Sequence, residues 1–334
     1  MPMFPLTTQS TAIMATSPAL PDCPINPYVA NLVIMVLYLL LFVPALLLNI
    51  TAAWISWKLE TKSSFIVYLK NLVAADLLMT LTLLLKASGW HPRSPLGLQA
   101  FNCQFTGVIF YLCLYVSILL MGAISINRFF KIVKPFGKMF GQRATFGKVV
   151  SALIWIVLLC TCTIPTMVNT NAIPQNKTGR LCMDMKDDMA IQYHEVVVTF
   201  CFVIFFAVSL IMGFCYICIA KTVIKSYQKS KSNNEQGNRK IRAHVFIVLV
   251  VFLVCFAPFH IVRMFFLQQQ MDNDEDCSWA VAKHFTLWLA TTNVCLDPLI
   301  YIGLCKAFRE KLHKLKLFGY LCSTTTEQIT DSSL

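Results

Sequence analysis

Apolar and polar positions in this chain are segregated into long blocks rather than mixed along each helix. Seven long apolar runs are separated by short polar stretches. A helix that crosses a bilayer needs about 20 predominantly apolar residues at about 1.5 Å each. The pattern therefore predicts an all-α membrane protein, a bundle of seven transmembrane helices. The predicted spans are Tyr28–Trp57, Ser64–Lys86, Phe101–Phe130, Thr145–Val168, Glu195–Ala220, His244–Leu267 and Ala280–Leu304.

The composition agrees with a membrane protein. Hydrophobic residues make up 57% of the 334 positions and charged residues only 13%. That leaves too little polar surface for a protein of this size in water. A soluble core of several buried helices is the alternative, and seven runs of spanning length disfavour it.

The net charge of +12 is unevenly distributed between the two sets of loops. Lysine and arginine crowd the loops after the first, third and fifth runs and the C-terminal segment, while acidic residues occupy the opposite loops. By the positive-inside rule the basic loops and the C-terminus are cytoplasmic, so the N-terminus lies outside. A basic chain also suits nucleic acid, but charge beside helix ends favours anionic lipid and an acidic cytosolic partner. We expect a multi-pass protein of the plasma membrane.

The chain divides into one membrane domain and three shorter segments. We expect residues 1–27 to form an extracellular tail, residues 28–304 the transmembrane domain and residues 319–334 a cytoplasmic tail. Residues 305–318 combine basic and apolar positions at helical spacing, which predicts a short amphipathic helix on the inner membrane surface. Cys322 is a candidate palmitoylation site, with an unmodified thiol as the alternative. No basic and apolar leader precedes the first run, so no cleavable signal peptide is expected.

Four of the 14 cysteines fall in the predicted extracellular segments: Cys23, Cys103, Cys182 and Cys277. An oxidising compartment favours two disulfides, for which four cysteines allow three connectivities. A bond between Cys103 and Cys182 would hold the loop after the fourth span over the bundle. It would leave Cys23 and Cys277 to join the tail to the last outer loop. The loop after the fourth span also carries a sequon, which makes Asn176 a candidate glycosylation site.

Two acidic side chains lie within the apolar runs, where hydrocarbon disfavours a charge. Asp76 is in the middle of the second run and Asp297 is near the inner end of the seventh. Asn49, Ser117 and Asn293 would complete an oxygen-lined cluster around a sodium ion, because hard cations need several oxygen ligands. The alternative is that one or both acids are protonated and hydrogen-bonded to neighbouring helices.

Polar and aromatic markers, one in each run, bring the chain close to a known family. In chain order they are Asn49, Asn71-Leu-Val-Ala-Ala-Asp76, Asn127-Arg128-Phe129, Trp155, Tyr216, Cys255-Phe-Ala-Pro-Phe-His260 and Asp297-Pro298-Leu-Ile-Tyr301. Over about Tyr28 to Phe318 the chain resembles rhodopsin-like (class A) G-protein-coupled receptors. The resemblance implies a seven-helix bundle that passes the signal of an extracellular ligand to a heterotrimeric G protein.

The resemblance also assigns roles on the inner side. Arg128 is expected to contact the G-protein α-subunit, with Tyr216 and Tyr301 as partners that move on activation. The acid that usually precedes this arginine is replaced by Asn127. Asn127 offers only a neutral hydrogen bond, weaker by about 1–2 kcal/mol than a charge-assisted one. We therefore expect a looser resting state with some basal activity.

Longer stretches are similar to the purine-nucleotide receptor subgroup that senses ADP and UDP-sugars and couples to inhibitory G proteins. They are Ser64-Phe-Ile-Val-Tyr-Leu-Lys-Asn71, Val108-Ile-Phe-Tyr111, Cys255-Phe-Ala-Pro-Phe-His-Ile-Val-Arg263, Thr286-Leu-Trp-Leu and Asn293-Val-Cys-Leu-Asp-Pro298. The Cys23–Cys277 arrangement fits as well. The ligand positions that this resemblance implies are Tyr111, Tyr115, His194, His260, Arg263 and Lys283. The expected ligand is a purine or pyrimidine nucleotide.

These residue types also have a physical rationale. His260 and Arg263 are three positions apart and share one face of the sixth helix, and Lys283 begins the seventh helix at the same depth. Arg263 can grip phosphate with two hydrogen bonds, and Tyr111 can pack against a flat ring. The alternative is that the two cations extend to the membrane interface and pair with the acids of residues 272–276.

Two departures make the pocket more apolar than in the subgroup. Phe266 stands where an aromatic hydroxyl is usual, and Val198 where the nearest ADP receptors carry asparagine. An anionic lipid such as a lysophospholipid is therefore the second candidate ligand. A membrane transporter is a remote third, disfavoured because the chain shows no internal repeat. No enzymatic activity is expected, because no catalytic motif occurs at membrane depth.

Overall fold

The computed structural model describes residues 26–133, 140–170, 181–229, 235–271, 277–304 and 306–313. These residues are helical apart from short turns and one isolated bridge between Ser63 and Arg143. The α-helices are α1 (Pro27–Trp57), α2 (Ser64–Gly89), α3 (Leu96–Phe101), α4 (Gly107–Val133), α5 (Ala144–Leu158), α6 (Ile164–Val168), α7 (Leu181–Asp184), α8 (Asp188–Lys229), α9 (Glu235–Met271), α10 (Cys277–Thr291), α11 (Asn293–Leu304) and α12 (Lys306–His313). Two π-helical turns, Asn102–Thr106 and Leu159–Thr163, join α3 to α4 and α5 to α6.

Within the described residues, six helical segments are long and apolar enough to cross a bilayer. They are Tyr28–Trp57, Ser64–Gly89, Leu96–Val133, Ala144–Val168, Asp188–Lys225 and Ile247–Gln269. The seventh predicted span is present but divided, because a turn at Thr292 separates α10 from α11. The predicted all-α, seven-helix architecture is confirmed.

Proline explains how the divided seventh span is tied to the first. Pro298 has no backbone N–H, so the carbonyl of Val294, four residues earlier, lacks its helical donor. Asn49 Nδ2 in α1 donates to that carbonyl at 2.8 Å and to the Ala45 carbonyl of its own helix at 2.9 Å. The two amide hydrogens of Asn49 thus join α1 to α11 at the point that Pro298 leaves open.

The spans close into a ring. Along the chain, α1 packs on α2, α2 on α4, α4 on α8, α8 on α9 and α9 on α10, and α1 also packs on α10 and α11. The fourth span, through α5, lies against α2 and α4. Large aromatic side chains from α8 and α9, among them Phe205, Phe252, Phe256 and Phe259, are fully buried at the centre.

A glycine permits the close approach of α5 to the start of α2. A Cβ atom at Gly147 would lie 2.7 Å from the Cα of Ser64 and 2.9 Å from its Cβ. Those distances are too short for any side chain, so glycine is required here. The Trp155 indole N–H donates to Asn71 Oδ1 at 3.2 Å and joins the same two helices further along.

The helix α12 is amphipathic. Phe308 and Leu312, four positions apart, are buried, whereas Glu310 and Lys311 are exposed. The helix packs against α11 and α1. This pattern agrees with a helix that lies along the membrane surface.

Several predicted sites fall outside the described residues. Cys23, Asn176 and Cys322 are among them, and so are the side chains of Cys277 and Tyr301. The second disulfide, the glycosylation site, the palmitoylation site and the role of Tyr301 stay predictions.

Candidate functional site

A disulfide marks one end of the bundle. Cys103, in the first π-helical turn, is bonded to Cys182 in α7, with their Cα atoms 5.2 Å apart. This pairing is one of the three connectivities that the sequence allows. We call this end of the bundle the disulfide end and the opposite end, where Arg128 lies near the end of α4, the Arg128 end. The six predicted ligand residues come from α4, α8, α9 and α10 in the half nearer the disulfide: Tyr111, Tyr115, His194, His260, Arg263 and Lys283.

Arg263 rests on aromatic side chains. Its Nη1 donates to Tyr111 Oη at 3.1 Å, and its guanidinium carbon lies 4.8 Å from the centre of the Tyr111 ring and 5.7 Å from that of Phe259. The Tyr111 and Phe259 rings are themselves stacked, with centres 6.2 Å apart. In the described part of the chain, Tyr111 takes one of the five N–H donors of Arg263, so the guanidinium is held in place yet able to bind an anion.

His260 supports the floor of the site. It is only 2% exposed, its Nδ1 lies 2.8 Å from the Phe256 carbonyl and its Nε2 lies 3.1 Å from Tyr115 Oη. A carbonyl only accepts, so Nδ1 carries the hydrogen of that bond. The Phe205 ring stacks on the imidazole at 4.0 Å. His260 therefore fixes the orientation of Tyr115, which is the partner that faces the cavity.

Lys283 contacts Phe266, the residue at which this chain differs from the nucleotide-receptor subgroup. Its Nζ lies 3.6 Å from the centre of the Phe266 ring, where the ring face attracts a cation. The missing aromatic hydroxyl is thus replaced by a cation–π contact. The positive charges of Lys283 and Arg263 both act on His194, so α8, α9 and α10 contribute to one electrostatic site.

Lys186 is a further cation that the sequence did not reveal as part of the site. It lies in the loop between α7 and α8, four positions after Cys182. Loss of hydration, and to a smaller extent the charge of Arg263, lowers the pKa of Lys186 to about 8. The one available indication was its distance from Cys182, because a disulfide there draws the following residues over the bundle.

Lys86, the basic residue at the end of the predicted second span, joins the same group. Its Nζ lies 4.2 Å from the centre of the Phe110 ring and 5.9 Å from that of Tyr111, and the charge of Arg263 acts on it. We call Lys86, Lys186, Arg263 and Lys283 the cation cluster. In the part of the chain that the structure describes, Lys86, Lys186 and Arg263 have no carboxylate partner. Cations brought together in this way strongly favour an anionic ligand.

A cavity of about 70 Å³ lies beside the cation cluster, between α4, the fourth span and α8. Tyr111, Tyr115 and His194 line it together with apolar side chains such as Val198. Pockets for drug-sized ligands are commonly about 300–1,000 Å³. A larger ligand therefore enters only if the helices or the disulfide-linked loop move apart.

A second polar site is buried in the middle of the bundle, where the structure brings together the carboxyl groups predicted to face a cation. Ser117 Oγ donates to Asp76 Oδ1 at 3.3 Å, and Asn293 Nδ2 donates to Asp297 Oδ2 at 2.7 Å. The carboxyls of Asp76 and Asp297 lie within hydrogen-bonding distance of each other. Asn49, the fifth predicted residue, directs its amide hydrogens to backbone carbonyls instead.

Oxygen atoms in this buried site lack hydrogen-bond donors. Among the described residues, Oδ1 of Asn49, Asn293 and Asp297 are buried without a partner, which is uncommon in folded proteins. Two carboxyls in contact also require a proton or a cation between them, because like charges cannot both persist there. The residues present thus fit a hydrated sodium ion.

At the Arg128 end, Arg128 lies between α2 and α8. Its guanidinium carbon is 4.9 Å from the centre of the Phe65 ring, and its charge acts on Tyr216. Tyr216 Oη is 3.1 Å from Ser125 Oγ. The structure therefore places two of the three predicted G-protein residues side by side.

Asn127 is held by the second span. Its Nδ2 donates to Ser64 Oγ at 2.7 Å, and Ser64 Oγ donates to the Gly141 carbonyl at 2.8 Å. A chain of two hydrogen bonds thus connects α4, the start of α2 and the turn before α5. The sequence did not predict this connection, because Asn127 was expected only as a hydrogen-bond partner of Arg128.

Comparison with known sequences decides the family. The family described as "7 transmembrane receptor (rhodopsin family)" matches residues 47–301. The chain belongs to this family. The resemblance that the sequence markers indicate is confirmed, and this rhodopsin-family protein is a multi-pass membrane receptor and not an enzyme.

Individual relatives cover most of the receptor. The "P2Y purinoceptor 13" of Homo sapiens is 39% identical over 316 residues, which are 93% of this chain and 89% of that protein. The "P2Y purinoceptor 14" of Bos taurus is 37% identical over 302 residues, 89% of each chain. The "G-protein coupled receptor 87" of Mus musculus is 36% identical over 288 residues, 85% of this chain and 80% of that protein. The receptor thus belongs with the P2Y-like group of the family.

Proposed function

We propose that this rhodopsin-family receptor binds an extracellular purine or pyrimidine nucleotide at its disulfide end. The cation cluster, set against the Tyr111 ring, is the observation that carries this function. The names of the related purinoceptors support a nucleotide as the ligand. The disulfide end then faces the outside of the plasma membrane together with the N-terminus, which agrees with the basic residues of the opposite loops.

Each group in the site has a distinct task. Arg263 releases the Tyr111 hydroxyl and binds the phosphates with two parallel hydrogen bonds, for which its planar guanidinium is suited. Lys186 and Lys283 add point charges around the same phosphates. Tyr111 packs against the base, while His260 keeps Tyr115 in position below it. Because the cavity is small, ligand entry and separation of the helices are coupled.

At the opposite end, the receptor signals through a heterotrimeric G protein of the inhibitory class. Arg128 contacts the α-subunit after Tyr216 and Tyr301 move. The resemblance to the subgroup that senses ADP and UDP-sugars supports this class of G protein.

The function is tested by inhibition of cAMP accumulation in cells that express the full-length receptor. ADP, UDP-glucose and lysophosphatidic acid are applied over full dose ranges. A nucleotide is expected to inhibit cAMP accumulation. Arg263→Ala is expected to lower its potency roughly 30- to 1,000-fold, which corresponds to a loss of about 2–4 kcal/mol of binding free energy, because a desolvated charge pair is lost.

Arg93→Ala serves as the matched control. Arg93 is an exposed arginine at the same end of the bundle, so its removal tests charge without removing a residue of the site. Equal potency of wild type and Arg263→Ala at equal surface expression contradicts the proposed site. An equal loss in both variants would show that the effect is long-range attraction rather than binding.

A lysophospholipid is the second candidate, favoured by one specific observation. The cavity beside the cation cluster is lined by apolar side chains, with Val198 where the nearest ADP receptors carry asparagine. A response to lysophosphatidic acid and none to either nucleotide would establish this alternative. The phosphate would then occupy the cation cluster and the acyl chain the cavity.

We further propose that Asp76 and Asp297 hold a sodium ion, with Ser117 and Asn293 as additional oxygen donors. Sodium supplies a positive charge that compensates the two carboxylates and accepts their oxygens as ligands. Asn49 stays at the edge of the site, where it joins α1 to α11. The ion would stabilise the arrangement of α2, α4 and α11 in which these groups meet.

A further inference from the structure

Two cysteine side chains of different spans meet at the disulfide end. Cys162 lies in the π-helical turn of the fourth span and Cys201 lies in α8. Their sulfur atoms lie close enough for each thiol to act on the other, and Cys201 is also close to the Tyr115 hydroxyl. The Cys162 sulfur is in addition 3.5 Å from Thr161 Oγ1. Two free thiols that face one small cavity need little movement to form a covalent bond.

The local sequence explains why Cys162 points toward α8. Pro165 has no N–H, so the carbonyl of Thr161, four residues earlier, loses its helical donor, and the helix widens into the π-helical turn. Tyr193 Oη of α8 donates to this free carbonyl. The turn and its anchor on α8 thus bring Cys162 against Cys201.

The two thiols differ in access. Both line the cavity of about 70 Å³ beside the cation cluster. Cys162 is partly exposed, whereas Cys201 is buried, with 5% of its surface exposed. A small reagent therefore reaches Cys162 more readily than Cys201, which is the second thiol of the same cavity.

We propose that Cys162 and Cys201 form a redox-modification site at which a hydroperoxide closes a disulfide between the fourth and fifth spans. The Cys162 sulfur attacks a peroxide oxygen, the O–O bond breaks, and the leaving hydroxide takes the thiol proton to form water. The Cys201 sulfur then attacks the resulting sulfenic acid. The S–S bond forms as the S–O bond breaks, and the released hydroxide leaves as water with the Cys201 proton. Two thiols and hydrogen peroxide thus yield one disulfide and two water molecules.

Oxidation would change one wall of the ligand cavity, the wall formed by the fourth span and α8. Cys201, which lies beside Tyr115, loses its S–H group, and the new bond ties the fourth span to α8. Entry of a ligand that separates these helices then becomes less favourable. The formation of the disulfide itself does not depend on the identity of the ligand.

The test uses the full-length receptor in membranes. Membranes are treated with hydrogen peroxide, free thiols are alkylated, and the receptor is digested without reduction for mass spectrometry. A peptide that links Cys162 to Cys201 is expected in the wild type. The link should be absent from Cys162→Ser, and a sulfenic acid at Cys162, trapped by dimedone, should accumulate in Cys201→Ser.

Cys160→Ser is the matched control, because Cys160 is exposed only two positions away and its loss should leave the link unchanged. Alkylation of both Cys162 and Cys201 after peroxide treatment would overturn the proposal, as would a link from Cys160 to Cys201. Wild-type mapping alone decides this, even where a variant fails to reach the membrane. Agonist potency after peroxide is a second readout, and a several-fold fall is expected in the wild type but not in Cys162→Ser.

Discussion

Individual residues of the cation cluster determine what the site can bind. The charge of Arg263 repels those of Lys86 and Lys186, and in the described chain none of the three has a carboxylate partner. An anion relieves this repulsion, so the site favours a negatively charged group. The lowered pKa of Lys186 reflects mainly its loss of hydration, to which the charge of Arg263 adds a smaller effect.

The affinity for ADP is expected to fall as the pH rises from 7.5 to 9.5. Only the cationic form of Lys186 attracts phosphate, and with a pKa of about 8 in the free receptor most of it becomes neutral over this range. An ordinary lysine, with a pKa of about 10.4, would remain charged. Because the phosphate, with a second pKa of about 6, does not change its charge here, saturation binding should show about a tenfold rise in Kd.

Lys186→Arg is the control for this pH dependence. Arginine keeps its charge throughout the range, so the Kd of this variant should change much less than that of the wild type. An identical pH profile in the two receptors would show that another group titrates.

Much of the site could be predicted from single residues, and some of it could not. Arg263 and Lys283 are cations at membrane depth, which the sequence alone marks as unusual. Lys186 lies in a loop, where lysine is ordinary, and only the bond between Cys103 and Cys182 brings it to the site. Contacts between segments far apart in the chain are not visible in the periodicity of either segment.

Asn127 of α4 is connected to the start of α2 and to the turn before α5. An amide at this position can donate to Ser64, and Ser64 can then donate to the Gly141 carbonyl. A carboxylate cannot donate, so an acid at position 127 would take the Ser64 hydroxyl hydrogen away from Gly141 or pair with Arg128. In the described structure, neutral hydrogen bonds therefore hold the side chain at position 127.

Asn127→Asp is expected to lower basal nucleotide exchange. The new carboxylate pairs with Arg128 only while the Arg128 end is closed, so it stabilises the inactive state. A partly exposed pair contributes about 1 kcal/mol, which corresponds to a roughly fivefold smaller active fraction. Ligand-free GTPγS binding, in membranes with equal amounts of receptor, measures the effect.

Ser64→Ala separates the new ion pair from the loss of the existing bonds. This variant removes both hydrogen bonds of Ser64 but adds no charge, so its basal exchange should not fall. A decrease as large as that of Asn127→Asp would attribute the effect to the broken connection between α2 and α4.

At the scale of whole helices, the sequence predicts the positions of the spans well, but it does not predict the breaks and π-helical turns within them. Seven apolar runs are enough to locate the spans, because hydrocarbon requires continuous hydrogen-bonded backbone. The break at Thr292 and the turn Leu159–Thr163 escape the hydropathy pattern, since the few polar residues in them do not interrupt the apolar runs. Pro165 and Pro298 were the available indications, because each leaves one carbonyl for a side chain of another span.

Across the whole molecule, the buried carboxyls lie between the two functional ends. Asp76 comes from α2 and Asp297 from α11, and α2 also carries Ser64 at the Arg128 end. A bound cation would therefore hold α2 and α11 together, midway between the disulfide end and the Arg128 end. Its occupancy is a property of the complete bundle, since no single helix supplies all of the ligands.

Sodium should raise the thermal stability of the purified, ligand-free receptor. An ion that binds only the folded state contributes RT ln(1 + [Na⁺]/Kd), about 1.4 kcal/mol at ten times Kd, which is a rise of roughly 2 °C in Tm for a chain of this length. Melting curves in NaCl are compared with curves in choline chloride of the same ionic strength, so that general screening cancels. In Asp76→Asn the difference should vanish, because one of the two carboxylates is gone. Equal Tm values of the wild type in both salts would instead mean that a shared proton, and not sodium, keeps Asp76 and Asp297 together.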